Sequence, residues 1–123
     1  MAGARTRSYL ADGRCVGWFT AFPGMVAIDA ELGDRPAPSA LGKRFGTVDF
    51  WVRWTRTECA AKLSNTPITL WLNRYGLEVS DDFPGEFRTG RIGNFAVNVV
   101  ATLAWTWVHS PLPYEAPPAR RRC

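Results

Sequence analysis

From Ile92 to Val108 the chain carries no charged residue, and that run can be read at two different periods. As a strand it places Phe95, Val97, Val99, Ala101, Leu103, Trp105 and Trp107 on one face. Ala96, Asn98, Val100, Thr102, Ala104, Thr106 and Val108 fall on the other. As a helix it sets Asn94, Asn98, Thr102 and Thr106 in a polar stripe at four-residue spacing, on a cylinder that is otherwise apolar. That helix would just reach across a bilayer, with Arg88 and Arg91 at one interface and Trp105 and Trp107 at the other. Two asparagines in hydrocarbon are costly unless a partner helix meets them. Val, Thr, Phe and Trp suit a pleated surface, and the rest of the chain offers sheet partners, so the strand reading is preferred. A strand of this length bends, bulges, or runs through a sandwich or around a barrel.

The remaining signals point the same way. The segments Arg14–Phe22 and Met25–Leu32 flank Pro23-Gly24, a pair that presets one turn corner and frees the next, and they read as a hairpin. Residues 33 to 46 are dense in Gly and Pro and read as a long loop. Between Thr47 and Thr57 the alternation of Val48, Phe50, Val52 and Trp54 against Thr47, Asp49, Arg53 and Thr55 predicts a half-buried strand, with Trp51 as the exception. Residues 57–64 have helix-forming composition with Thr57 as N-cap, enough for about two turns before Pro67. Ile68–Leu72 and Leu77–Ser80 read as two short strands. The fold class expected is therefore mainly β: a small antiparallel β-sandwich or barrel with one short helix and extended arms at both ends.

With 123 residues, the chain is expected to form one domain. A basic arm is expected over residues 1–13, a β-rich body over 14–110 and a Pro/Arg-rich tail over 111–123. The formal charge of +4 sits at the ends. Arg5, Arg7 and Arg14 outweigh Asp12, and Arg120, Arg121 and Arg122 outweigh Glu115, while the body between is neutral. Cationic ends suit phosphate or an anionic lipid surface. Cys15, Cys59 and Cys123 match neither a chelating pair nor a dense disulfide framework, and they read as reduced thiols of an intracellular protein or a virion. No apolar signal core follows Arg5 and Arg7.

The chain offers little for catalysis. His109 is its one imidazole, and nothing local joins it to Cys59. The carboxylates Glu78, Asp81, Asp82 and Glu86 form the densest acidic cluster, but a charged turn accounts for them as well as a hard cation does. The glycines at 85, 90 and 93 with Arg88 and Arg91 lack the strand-to-helix context of a phosphate loop. No catalytic residue, metal site or cofactor is expected. The stretch Phe50–Arg56 interleaves aromatics with arginines, a pattern shared by protein-interface hot spots and single-stranded nucleic-acid surfaces. Since Phe50 and Trp54 belong to the apolar face, Trp51, Arg53 and Arg56 are the interface candidates there, joined by Arg120, Arg121 and Arg122 of the tail.

The function expected is that of a non-enzymatic structural or assembly subunit, with a phage capsid, head–tail or tail component as the first setting. Its partners would be other protein subunits in a homo- or hetero-oligomer, with nucleic acid a candidate through the basic arms. One alternative is an accessory subunit of an organellar membrane complex, such as a respiratory one, with Ile92–Val108 as a single spanning helix. A second is a small nucleic-acid-binding module.

Overall fold

A computed structural model describes residues 4–20, 26–94 and 97–106. It is mixed α/β: five strands and three helices among the described residues. Strands β1 (Ala4–Tyr9) and β2 (Cys15–Thr20) form a two-stranded ribbon. Strand β3 (Val26–Leu32) leads into helices α1 (Ser39–Phe45), α2 (Phe50–Leu63) and α3 (Ile68–Tyr75). Strands β4 (Glu86–Asn94) and β5 (Val97–Trp105) complete an antiparallel three-stranded sheet of order β3-β5-β4.

The run near the C-terminus is extended where it is described, so the spanning-helix reading is corrected. No described helix is long and apolar enough to cross a membrane. The run is not one long strand either: Ile92–Asn94 closes β4, and Val97–Trp105 turns back as β5, pairing Asn94 with Val97. Phe95, Ala96 and residues from Trp107 onward lie outside the described residues.

Several local expectations are overturned. The basic N-terminal arm is partly a strand, because β1 pairs with β2 in register from Ala4↔Thr20 to Tyr9↔Cys15. The hairpin expected between Arg14–Phe22 and Met25–Leu32 does not form, since β2 takes β1 as its partner and β3 takes β5. The loop over 33–46 contains α1, which Gly46 closes at φ 84°, donating its N–H to Gly42 O. The strand expected over Thr47–Thr57 and the two-turn helix over 57–64 are one helix, α2, with Thr57 buried mid-helix instead of capping it. Ile68–Leu72 is helical, and Leu77–Ser80 lies in no strand. The sheet is not closed into a barrel, and the face expected to meet a second sheet meets α2.

The register explains how α2 sits. Pairing sets three rows across the sheet: Ala27–Ala104–Phe87, Asp29–Thr102–Thr89 and Glu31–Val100–Arg91. Alternation puts all three rows on one face. On α2, Trp51, Thr55, Cys59 and Leu63 recur every four residues and are all buried. Apolar contacts fill both ends of the interface. Phe50 and Trp51 pack with Leu72, Leu77 and Val100, and Cys59 and Leu63 pack with Ala27 and Ala104.

The middle row is polar, with Asp29 and Thr102 buried and Thr89 half-buried. Thr55 Oγ1 lies 2.7 Å from Thr102 Oγ1, which lies 2.8 Å from Thr89 Oγ1. Thr55 also donates to Val52 O at 3.2 Å. Proton counting then fixes one direction, with Thr89 donating to Thr102, Thr102 to Thr55 and Thr55 to the carbonyl. Cys59 Sγ donates to Thr102 O at 3.3 Å.

The outer edge of β3 is closed by side chains. Lys62 Nζ donates to Ile28 O at 2.7 Å, and Ser8 Oγ accepts from Ala30 N at 3.0 Å while donating to Asp29 Oδ1 at 3.0 Å. The contacts to Ile28 O and Ala30 N replace part of the ladder a fourth strand would supply. Lys62 also reaches Asp29 Oδ1 at 3.4 Å, which ties α2, β3 and the ribbon to one carboxylate.

Two neighbouring threonines separate hydrogen bonding from burial. Thr55 and Thr57 are 0% and 1% exposed, but Thr57 Oγ1 has no hydrogen-bond partner. Thr55→Val is expected to lower the unfolding free energy by about 1–2 kcal/mol, because it breaks the hydroxyl relay. Thr57→Val keeps the shape and removes an unsatisfied group, so it is expected to be neutral or stabilising by up to about 1 kcal/mol. Urea titration of the two variants beside the parent measures the contrast. Equal losses at both positions would contradict it.

Candidate functional site

The structure separates the interface candidates. Trp51 is 7% exposed, donates its indole N–H to Arg35 O at 2.8 Å, and carries the Arg35 guanidinium 4.4 Å from its ring centroid. A partner cannot stack on that ring, so Trp51 acts as core and not as an interface anchor. Arg53 is engaged with its own backbone: it donates to Phe45 O at 2.8 and 3.0 Å, to Gly46 O at 2.9 Å and to Val48 O at 3.0 Å. That fork satisfies carbonyls at the end of α1 and occupies most of the guanidinium donors. Arg56 stands 4.8 Å from the Phe87 ring centroid and lines a surface cleft, so of these three it alone borders a candidate site. Arg120, Arg121 and Arg122 lie outside the described residues.

Cys59 is a free thiol with no exposed surface, and its burial pushes the thiol far above the ordinary range. Its thiol donates to Thr102 O, and the side chain packs with Ala27 and Ala104. Cys15 is disulfide-bonded, which corrects the expectation of a reduced thiol at that position.

Beside the Trp51–Arg35 contact sits Glu31, whose carboxyl is pushed up to about 7. Burial is the largest cause, followed by the like charge of Asp29, while Arg35, the Trp54 indole and Lys62 oppose the shift. Arg35 Nη2 lies 3.6 Å from Glu31 Oε1. A raised folded value means that the native state holds this proton more tightly than the unfolded chain does. Stability is therefore expected to fall as pH rises from 4.5 to about 7, and to level off above that window. With solvent screening discounted, the loss is on the order of 1–2 kcal/mol. Thermal unfolding of Glu31→Gln across this range should lack the decline; a decline of equal size in the variant would contradict the assignment.

The acidic cluster noted in the sequence forms the wall of a groove. A cleft of about 950 Å³ is lined by Trp71, Tyr75, Glu78, Asp81, Asp82 and Phe83, with Arg74 at its rim. The Trp71 ring lies 4.8 Å from Tyr75 and 5.9 Å from Phe83, centroid to centroid. Trp71 is anchored by donating Nε1–H to Glu78 O at 3.0 Å, and Gly76, at φ 74°, ends α3 so that the chain turns along the groove. Tyr75 is 57% exposed and offers a ring face. Glu78, Asp81 and Asp82 are exposed, and none of them takes part in an ion pair among the described residues.

A second cleft of about 520 Å³ adjoins it through Val79, Ser80, Asp81 and Phe83, and adds Arg56, Glu86, Phe87, Arg88 and Trp105. Among the described residues no three His, Cys, Asp or Glu side chains converge as metal ligands. The sequence shows the acids but hides the aromatic platform, because Ile68–Leu72 reads as a short strand. The helical spacing Trp71–Tyr75 was the available signal. Comparison with known proteins gives no match to any protein family, to a curated protein or to a solved structure.

Proposed function

We propose that this chain is a non-enzymatic structural or assembly subunit that works through protein–protein contacts. The observation that carries the reading is a charge pattern: among the described residues Glu78, Asp81 and Asp82 take part in no ion pair and line an aromatic groove, while the cationic excess of the chain sits at its two ends. Unpaired carboxylates beside an exposed ring suit a basic segment of another chain, because guanidinium groups form charge-assisted bonds to carboxylates and pack flat on rings. A virion component such as a phage head, head–tail or tail protein, in which many copies of one small chain join, is the setting this pattern fits.

Sedimentation velocity of the full chain over a concentration series, at low and high salt, tests the proposal. Self-association that weakens as salt rises is the expected result. A chain that stays monomeric at every concentration and salt would count against it.

A further inference from the structure

Resting on the assembly reading above, we infer that two copies of this chain pair across a two-fold axis at Tyr75, the basic ends of α1 and α3 in each copy meeting the acidic wall of the groove in the other. Lys43, Arg44 and Arg74 are exposed at the ends of those two helices, and Glu78, Asp81 and Asp82 are exposed on the segment that follows α3. Opposite charges therefore stand three against three. None of the six takes part in an ion pair among the described residues.

The two charge sets belong to one surface. Arg44 Nη2 reaches Leu72 O at 3.4 Å and Asn73 Oδ1 at 3.3 Å, which lays the end of α1 against the end of α3. At the same place the Phe45 ring comes within 3.7 Å of where a Cβ on Gly76 would stand. Arg74 and Tyr75 then line the groove together with Glu78, Asp81 and Asp82. Basic and acidic patches are thus neighbours, joined through Arg74 and Tyr75.

Adjacency decides the symmetry. A patch that is cationic at one end and anionic at the other becomes its own complement after half a turn about its middle, because each cationic end lands on the partner's anionic end. Two opposite-charge contacts form at once, and the pair closes with no site left for a third copy. Tyr75 holds the middle. Its ring is 57% exposed and backed by Trp71 at 4.8 Å between centroids, and it offers the partner an apolar face with a polar tip. A guanidinium of the partner packs on that ring while bonding the carboxylates beside it.

Charge reversal in the full-length chain tests the pairing. One variant carries E78K/D81K/D82K, a second carries K43E/R44E/R74E, and a third carries all six substitutions. Far-UV circular dichroism checks that each is folded; all of the substituted side chains are exposed. Sedimentation velocity follows the parent, each variant alone, and the first two mixed in equal amounts. Tyr75→Ser and E78Q/D81N/D82N are measured beside them as milder changes.

The inference expects the parent to stop at a dimer. The first two variants set like charge against like at both contacts, so each alone should dissociate at least about tenfold more readily than the parent. Their mixture should recover a dimer of parental strength, because opposite charges face each other again at both contacts, and the six-substitution variant should recover it by itself. The two milder variants should pair more weakly than the parent. Reversal variants that pair as the parent does overturn the interface and leave the assembly reading standing. Loss without recovery, in the mixture or in the six-substitution chain, overturns the contact between the two patches. Where a reversal variant does not fold, undiminished pairing by the two milder variants overturns the interface. Parental growth past a dimer overturns the two-fold closure, and a parent that is monomeric at every concentration and salt overturns the pairing and the assembly reading together.

Discussion

Trp71→Ala is expected to lower the unfolding free energy by about 3–5 kcal/mol, the range for deleting a buried aromatic whose cavity cannot collapse. Trp71 is 6% exposed and packs on Ala60 and Ala61 of α2, residues too small to fill the space it leaves. Its loss also strips the Glu78 carbonyl of its donor and removes the ring against which Tyr75 and Phe83 lean. Trp71→Phe keeps a ring and loses the donor, so it should cost less, about 1–2 kcal/mol. Denaturant unfolding of both variants measures the pair. A Trp71→Ala loss below that of Trp71→Phe would show that the groove floor is not built as described.

The second large effect belongs to Lys62. Lys62→Met retains the aliphatic stem but removes the ammonium from Ile28 O and from Asp29, which is 6% exposed. Breaking a buried pair by deleting one partner leaves the other charge in a low-dielectric site. Because the Lys62 side chain is 33% exposed, the full penalty is discounted to about 2–3 kcal/mol. Asp29→Asn in the Lys62→Met background should recover part of the loss, since it removes the stranded charge while keeping an acceptor for Ser8. Additive losses in the double variant would show that Lys62 and Asp29 do not act as a pair.

What the sequence revealed depends on which force decides each segment. For Val97–Trp105, alternation and β-branched composition agree with the strand that forms, because a central strand must satisfy both faces at once. Phe50–Leu63 misleads because its first residues alternate by chance. Val48, the first of that alternating set, is 79% exposed, and the helix buries Trp51 on the same stripe as Thr55, Cys59 and Leu63. The exception to the alternation was the signal of the longer period, and it needed the full stretch to Leu63 to show. Thr, Val and Trp are weak helix formers, so burial against the sheet overrides their propensity.

Partner choice among strands was less legible still. Pro23-Gly24 is a sound turn signal, but β2 pairs with β1 and β3 with β5, a choice that brings together segments distant in sequence. At the site, acids and arginines were visible as types and invisible as roles. Arg53 and Arg56 look alike in the chain, yet one clasps carbonyls at the end of α1 and the other borders a cleft.

The account depends most on α2 lying as a helix across the β3-β5-β4 sheet with Thr55 over Thr102, since that packing carries α3 and the groove with it. Backbone chemical shifts for residues 50–63, together with the nuclear Overhauser contact between the Thr55 and Thr102 side chains, measure this directly. Helical shifts throughout and a strong Thr55–Thr102 contact are predicted. Extended shifts over residues 47–57, with Thr55 contacting a neighbouring strand instead, would contradict it.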